Sequence, residues 1–437
     1  MNRPAPRYCP HRWWAAALLG LGCIAWPAVS PASARLWQPL VLKGAQLAPL
    51  LGARSASLEV LAVHAGRLAA IPFQVDERLA DGRYALPDGP ARLAAKSPGV
   101  FDADDEVVFM VADMGERASP EDLPRRTVEV EADDPLSGPP RYAYIALTAR
   151  PRRSPLRYVS YTPGRGLIET EDLRIGLEHN LAARLAFASA GAPAPWLTRS
   201  FRLRVRFWAF GLFPISIYEA DLRNELLAWK AGPVRVIRRV SHSARIAFGL
   251  HSPRAVGDEF FYRDFFLAPL EVRIPWLPAL VLRRLTMHAD VRLAGSGELT
   301  LLWSGGNPAG VAIGDAPAEE RLSEREPPLP GRWLALVTNA GTVVQLIEPA
   351  SSAAALTAGL FFTSRPRGTG AAAEIAGVLH PRLGYVVSGW DKLSRGVQRL
   401  ELSGIAAPGR SDPRLLLSEH ATPLLVHTRP LRAPERR

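Results

Sequence analysis

Residues 201–210 read FRLRVRFWAF, and their alternation decides the fold class. Phe201, Leu203, Val205 and Phe207 fall on one side of an extended chain, Arg202, Arg204 and Arg206 on the other. A period of two is that of a half-buried β-strand, one face on a core and one in water. Similar β-rich runs follow: PISIYEADL, GPVRVIRRV, LEVRIPW, LVLRRLTMHADVRL, GELTLLWSG, RWLALVTN, TVVQLIEP, GYVVSGW and VQRLELSGI. Most are separated by Gly or Pro turns, as antiparallel strands are. The expectation is an all-β chain with few helices, in which a small N-terminal β-domain precedes a large antiparallel β-sandwich.

Working outward, residues 35–150 form the N-terminal domain. LEVLAV (58–63), a turn at 64–67 and LAAIPFQV (68–75) read as a hairpin. VVFMVA (107–112), apolar on both faces, reads as a buried central strand. TVEVEAD (127–133) alternates, with Val128 and Val130 expected inward and Glu129 and Glu131 outward, and RYAYIAL (141–147) follows. A Pro/Arg/Gly-rich linker occupies 151–170, and the sandwich runs from 171 to 428 with a Pro-rich surface loop at 318–331. LEHNLAARLAFA (177–188) has the apolar stripe of a helix, Leu177, Leu181, Ala182 and Leu185. The basic tail 429–437 carries too little apolar surface to fold.

The chain begins with the pattern of an export signal. Arg3, Arg7 and Arg12 precede the apolar stretch WWAAALLGLGCIAWPAV, and Ala32-Ser33-Ala34 is a small-residue cleavage site. The apolar run of 17 residues is short for a membrane span. A periplasmic or secreted protein without a transmembrane span after cleavage is expected; a retained anchor and lipidation at Cys23 in GLGC are the alternatives. Both cysteines, Cys9 and Cys23, lie within 1–34. A cleaved chain then has no thiol, which excludes disulfides, Cys-ligated metals and Cys nucleophiles.

The formal net charge is +11, or +8 without the first 34 residues. It points to an anionic polysaccharide or envelope glycolipid as partner. With 49 Arg against 4 Lys and abundant Ala, Pro and Gly, the skew also fits a GC-rich genome. Nucleic acid is not expected, since no recognition module is visible.

Three groups of residues could carry chemistry. In FDADDEVVFMV (101–111), Asp102, Asp104 and Glu106 have the i, i+2, i+4 spacing of a calcium loop, but Val107 stands where that loop needs glycine. Two readings stay open: a calcium site completed by Asp76 of IPFQVDER (71–78), or a solvated turn before a buried strand. No other cofactor is implied. In the arginine row Arg202, Arg204 and Arg206, alternate side chains stand ~6.5–7 Å apart on one face. Either Glu219 and Asp221 on an adjacent strand neutralise them, or they line a groove for an acidic sugar or lipid head group, with Arg254 as a further ligand contact. Finally, RIAFGLHSPRAVGDEFFYRDFF (245–266) crowds His251, Asp258, Tyr262 and Arg263 into one segment, the residue types of acid–base catalysis at a sugar. GxSxG, HExxH, P-loop and HxH patterns are absent from the sequence.

LAAIPFQVDER followed by FDADDEVVFMVADMG resembles a small β-domain that precedes carbohydrate-active modules in exported bacterial proteins. AWKAGPVRVIRRV (228–240) resembles a strand of the galactose-mutarotase-like supersandwich of polysaccharide lyases and their relatives. An uncharacterised family of exported bacterial β-proteins is thus suggested, and the resemblance implies a two-part β architecture with a sugar-like or envelope ligand. It transfers no catalytic residue.

The function expected is non-catalytic binding of an anionic glycan or other cell-envelope ligand. The rivals are a polysaccharide lyase or glycoside hydrolase using 245–266, and an envelope assembly or structural protein. The last would contact lipid or a partner through FWAFGLFPISI (207–217) and IPWLPALVL (274–282).

Overall fold

The FRLRVRFWAF alternation lies in the strand Thr198–Ala209, which sits second in a six-stranded antiparallel sheet. The structure, a computed structural model, describes residues 35–431 apart from 36, 96, 137, 189–194, 247–250, 253, 275–281, 295–298, 305, 307–308, 314–328, 331, 350–354, 364–380, 391–395 and 410. The expected signal segment, the loop 318–331 up to residue 328, most of 274–282 and residues 432–437 lie outside the described residues.

The six-stranded sheet runs, in spatial order, Phe213–Tyr218, Thr198–Ala209, Leu282–Leu293, Arg382–Ser388, Thr357–Thr363 and Leu329–Pro330. Its apolar face packs on a nine-stranded sheet that includes Leu222–Ala231, Val236–Ala244, Trp333–Thr338, Gly341–Pro349 and Gly396–Pro408. Leu360, Phe362, Leu383, Tyr385 and Val387 of the first sheet meet Leu301, Leu334, Leu336, Ile347 and Leu400 of the second in one buried cluster. Phe207 and Val205 point the same way, joining Ile217 and Ala244. Each such side chain contributes about 1.5–3 kcal/mol by leaving water. The fold is all-β, a small domain and a larger antiparallel sandwich-like part.

The small domain is itself two-layered. A three-stranded sheet (Pro39–Lys43, Glu106–Met110, Gln74–Asp76) faces a five-stranded one across Leu40, Leu42, Val107, Phe109, Val60, Val128 and Ile145. Glu106–Met110 is central and wholly buried, as VVFMVA requires. The predicted hairpin divides: Leu58–His64 pairs with Arg67–Ala70, then the chain crosses at Ile71-Pro72-Phe73 to give Gln74–Asp76 to the other sheet.

Four expectations need correction. Residues 151–170 are not all linker: Val159–Thr162 and Leu167–Thr170 pair as strands of a four-stranded antiparallel sheet. Residues 177–188 are not a helix: Leu173–Glu178 and Leu181–Phe187 form a hairpin. His179 and Asn180 turn it with φ of +49° and +62°; asparagine tolerates that region, and the stripe of leucines is shared between two strands. The C-terminal strand Leu425–Leu431 pairs with Thr127–Asp133, so 425–428 complete the small domain's sheet and 429–431 are not a loose tail. Glu129 is buried, not outward, because Arg429 (2.6 Å) and Arg117 (2.9 Å) both donate to its Oε1. Among the described residues the α-helix is Pro413–Ala421, started by Asp412, whose Oδ1 accepts from Arg414 N–H at 2.9 Å.

A buried polar seam joins the small domain to the sandwich. Arg235 Nε donates to Asp76 Oδ2 at 2.8 Å and its Nη2 to Glu106 Oε2 at 2.6 Å, while Nη1 reaches the Tyr262 hydroxyl at 2.9 Å. Lys230 Nζ lies 2.8 Å from Asp76 Oδ1. Gln74 donates to Asp76 and accepts from Arg235 N–H at 3.1 Å. Thus the IPFQVDER and AWKAGPVRVIRRV motifs meet each other.

Candidate functional site

The arginine row occupies the face of the six-stranded sheet opposite the core. Strand pairing sets what stands beside it, because residues opposed in register share a face. Arg202 opposes Asp290, Arg204 opposes His288 and Arg206 opposes Thr286. On the next strand Gly384 opposes Asp290 and Arg382 opposes Arg292. A Cβ on Gly384 would lie 2.0 Å from Ala289 O and 2.8 Å from Asp290 Cβ, so glycine lets the strands close around Asp290. The face therefore gathers Arg202, Arg204, Arg206, Arg292 and Arg382, with His288 among them.

Among the described residues, Arg204, Arg206, Arg292 and Arg382 are incompletely answered. Arg382, 2% exposed, donates Nε to Asp290 Oδ1 at 2.6 Å. Among the described residues its Nη1 and Nη2 are buried without a hydrogen-bond partner, as are Arg292 Nε, His288 Nδ1 and Thr363 Oγ1. Glu219 stands 3.9 Å from Arg202, as one sequence reading expected, whereas Asp221 turns to Arg245 at 3.4 Å. Among the described residues no carboxylate pairs with Arg204 or Arg206. Burial pushes the Arg382 pKa down, with Asp290 working against it and Arg202 with it. Burial, then Arg204 and Arg206, lowers His288 to about 4, so its imidazole is neutral at pH 7. His288 rests edge-on against Phe361, ring centroids 5.7 Å apart. Buried donors without acceptors cost about 1–3 kcal/mol each, more when charged. A planar carboxylate, sulfate or phosphate would satisfy two guanidinium N–H groups at once.

The other candidates are dispersed. His251 is exposed at an isolated bridge to Arg245, and Arg254 is exposed at the entrance to Ala255–Phe261 of the nine-stranded sheet, not on the arginine face. Asp258 binds Arg239 through both oxygens at 2.7 Å. Tyr262, 4% exposed, belongs to the seam. Arg263 Nε sits 3.0 Å from Asp264, 3.2 Å from Asp172 and 3.7 Å from Glu171. The four residues proposed for catalysis thus do not share one site.

The calcium reading is likewise redirected. Asp76 and Glu106 do converge, but around the guanidinium of Arg235 and the ammonium of Lys230. Asp102 Oδ1 accepts from the N–H groups of Asp104 (2.9 Å) and Asp105 (3.2 Å), bracing the turn. Among the described residues no three His, Cys, Asp or Glu side chains are grouped to hold a metal.

Reading the sequence missed Arg292, Arg382 and His288. The signal was present in HADVR (288–292), whose alternate residues are His, Asp and Arg, as in the row at 202–206.

No family model matches the chain, and no curated protein matches it. Among solved structures it is similar to an alpha-mannosidase from Enterococcus faecalis V583, with TM-score 0.45 and 7% identity. The match covers 85% of this chain and 41% of that protein, so the chain spans less than half its length.

Proposed function

We propose that the outer face of the six-stranded sheet binds an anionic glycan of the cell envelope, in an exported protein, without catalysing its cleavage. The observation that carries this reading is Arg382: a buried guanidinium with two nitrogens that have no partner among the described residues, beside Arg292, Arg204 and Arg206. A row of cations along one strand suits a chain with repeated charges better than a single small anion, and its strength falls with salt. The export pattern supports a ligand outside the cytoplasm.

Affinity electrophoresis in polygalacturonate, with dextran as the neutral control, tests this. Retardation by polygalacturonate alone is expected. Arg204→Ser with Arg206→Ser removes two side chains that no described carboxylate pairs with. Losing two charge-assisted contacts of about 1.5–3 kcal/mol each predicts a drop in affinity of tenfold or more. Absence of retardation at low salt, or equal retardation of the double variant, would overturn the reading.

A further inference from the structure

The most exposed large apolar side chains gather at one turn. Thr198–Ala209 and Phe213–Tyr218 form a hairpin, closed by Leu212 N–H donating to Ala209 O at 3.0 Å. Phe210 and Gly211 are its central residues, with φ of +53° and +72°. Two left-handed positions usually take Asn-Gly or Gly-Gly, and a bulky residue there is strained. The phenylalanine that bears this strain is not buried by it. Phe210 is 69% exposed, Leu212 70% and Phe213 64%, and no other large apolar side chain among the described residues exceeds 57%. A hairpin tip in water is free to be polar, so three such side chains together mark a contact surface.

The base of this tip is cationic. Trp208, half-buried, opposes Arg283 in register. Arg283 and Arg284 are both exposed, and Arg284 takes φ +52° where the register of Leu282–Leu293 shifts. A bulge of this kind re-aims a side chain. Among the described residues no carboxylate pairs with either arginine.

We infer that this hairpin tip docks the protein on an anionic lipid surface. Phe210, Leu212 and Phe213 enter the boundary between headgroups and acyl chains, while Trp208, Arg283 and Arg284 stay at headgroup level. Three side chains are too few to span, so attachment is peripheral and reversible. The uniform positive charge at the base selects a negatively charged membrane, which attracts basic residues across the headgroup layer. This goes beyond the glycan reading: it uses the tip of the hairpin, not Arg204, Arg292 and Arg382.

Flotation of the chain from Ala34 onward, a compact unit by itself, tests the inference. Vesicles of phosphatidylglycerol with phosphatidylethanolamine should carry the protein upward, and pure phosphatidylcholine vesicles should not. Substituting Phe210→Ser, Leu212→Ser and Phe213→Ser together should lower partitioning about tenfold or more, since each removes apolar area from the interface. Arg283→Ser with Arg284→Asn should abolish the preference for anionic vesicles. Both variants should keep the wild-type melting temperature and its polygalacturonate retardation, so failure of either reading is seen separately. The inference is overturned if the wild-type chain stays with the soluble fraction, including by self-associating instead. It is equally overturned if the triple variant floats like wild type or if both vesicle types bind alike.

Discussion

Arg235 and Asp76 meet at 2.8 Å, Nε to Oδ2, with side chains 2% and 1% exposed. One stands in the sandwich and the other in the small domain, so this ion pair is a weld between the two parts. Burial works against the Asp76 carboxylate, but Arg235 and Lys230 together hold its pKa below 3.8. Removing one partner of such a pair strands the other in a low-dielectric setting, at about 3–5 kcal/mol. Arg235→Met should therefore lower stability by that order in urea unfolding. Adding Asp76→Asn and Glu106→Gln should recover part of the loss, because the stranded charges are then gone.

The seam explains which parts of the fold the sequence revealed. The strand at 201–210 was legible because its period is local, and so were VVFMVA and most later strands. The hairpin at 173–187 misled because its leucines also satisfy a helical spacing, and only the left-handed turn at His179-Asn180 separates the two. Glu129 was misplaced because its partner Arg429 lies 300 residues away. The same limit hid half the arginine face: Arg382 reaches Asp290 across 92 residues, through a register that no local pattern encodes. IPFQVDER and FDADDEVVFMV, read as metal or turn, supply the carboxylates of the weld.

Asp264 should make the protein lose stability as pH rises from about 4 to about 8. Burial and a hydrogen bond with Asp172 raise its pKa from 3.8 to about 8, with Arg263 working in the opposite direction. A folded-state pKa above the unfolded one contributes stability below the unfolded value that is lost as pH rises through the folded value. Between about pH 4 and pH 8 the native state thus holds more proton than the unfolded chain, and stability falls by up to about 1.4 kcal/mol per pH unit from this group. Asp264→Asn should flatten that slope in urea titrations at pH 5, 7 and 9. An unchanged slope would mean the carboxyl is ionised throughout.

The C-terminal strand should be required by the small domain although it lies at the far end of the chain. Leu425–Leu431 covers the edge of Thr127–Asp133 and brings Arg429 to the buried Glu129. Ending the chain at Thr422 would expose a strand edge and leave Glu129 with Arg117 and Tyr144. Exposed edges pair with other chains. Soluble yield should fall, and hydrogen exchange should speed up in 127–133 and 141–147 while the nine-stranded sheet stays protected. Arg429→Ala alone, a pair 59% exposed on the arginine side, should cost about 1 kcal/mol or less.

Anion binding at the arginine face should strengthen as pH falls from 7 toward 5. In the free protein His288 is held at about 4, by burial first and then by Arg204 and Arg206, so it is neutral across this range. A bound anion offsets those arginines and raises the imidazole pKa, so binding takes up a proton. One proton taken up corresponds to at most about a tenfold gain in affinity per pH unit. Asp290 also titrates on this face, raised by burial and held back by Arg382. The contribution of the histidine is therefore read as the difference between wild type and His288→Gln in polygalacturonate retardation at pH 7, 6 and 5. The variant should bind with a shallower profile that keeps only the part Asp290 supplies, and identical profiles would place the anion away from His288.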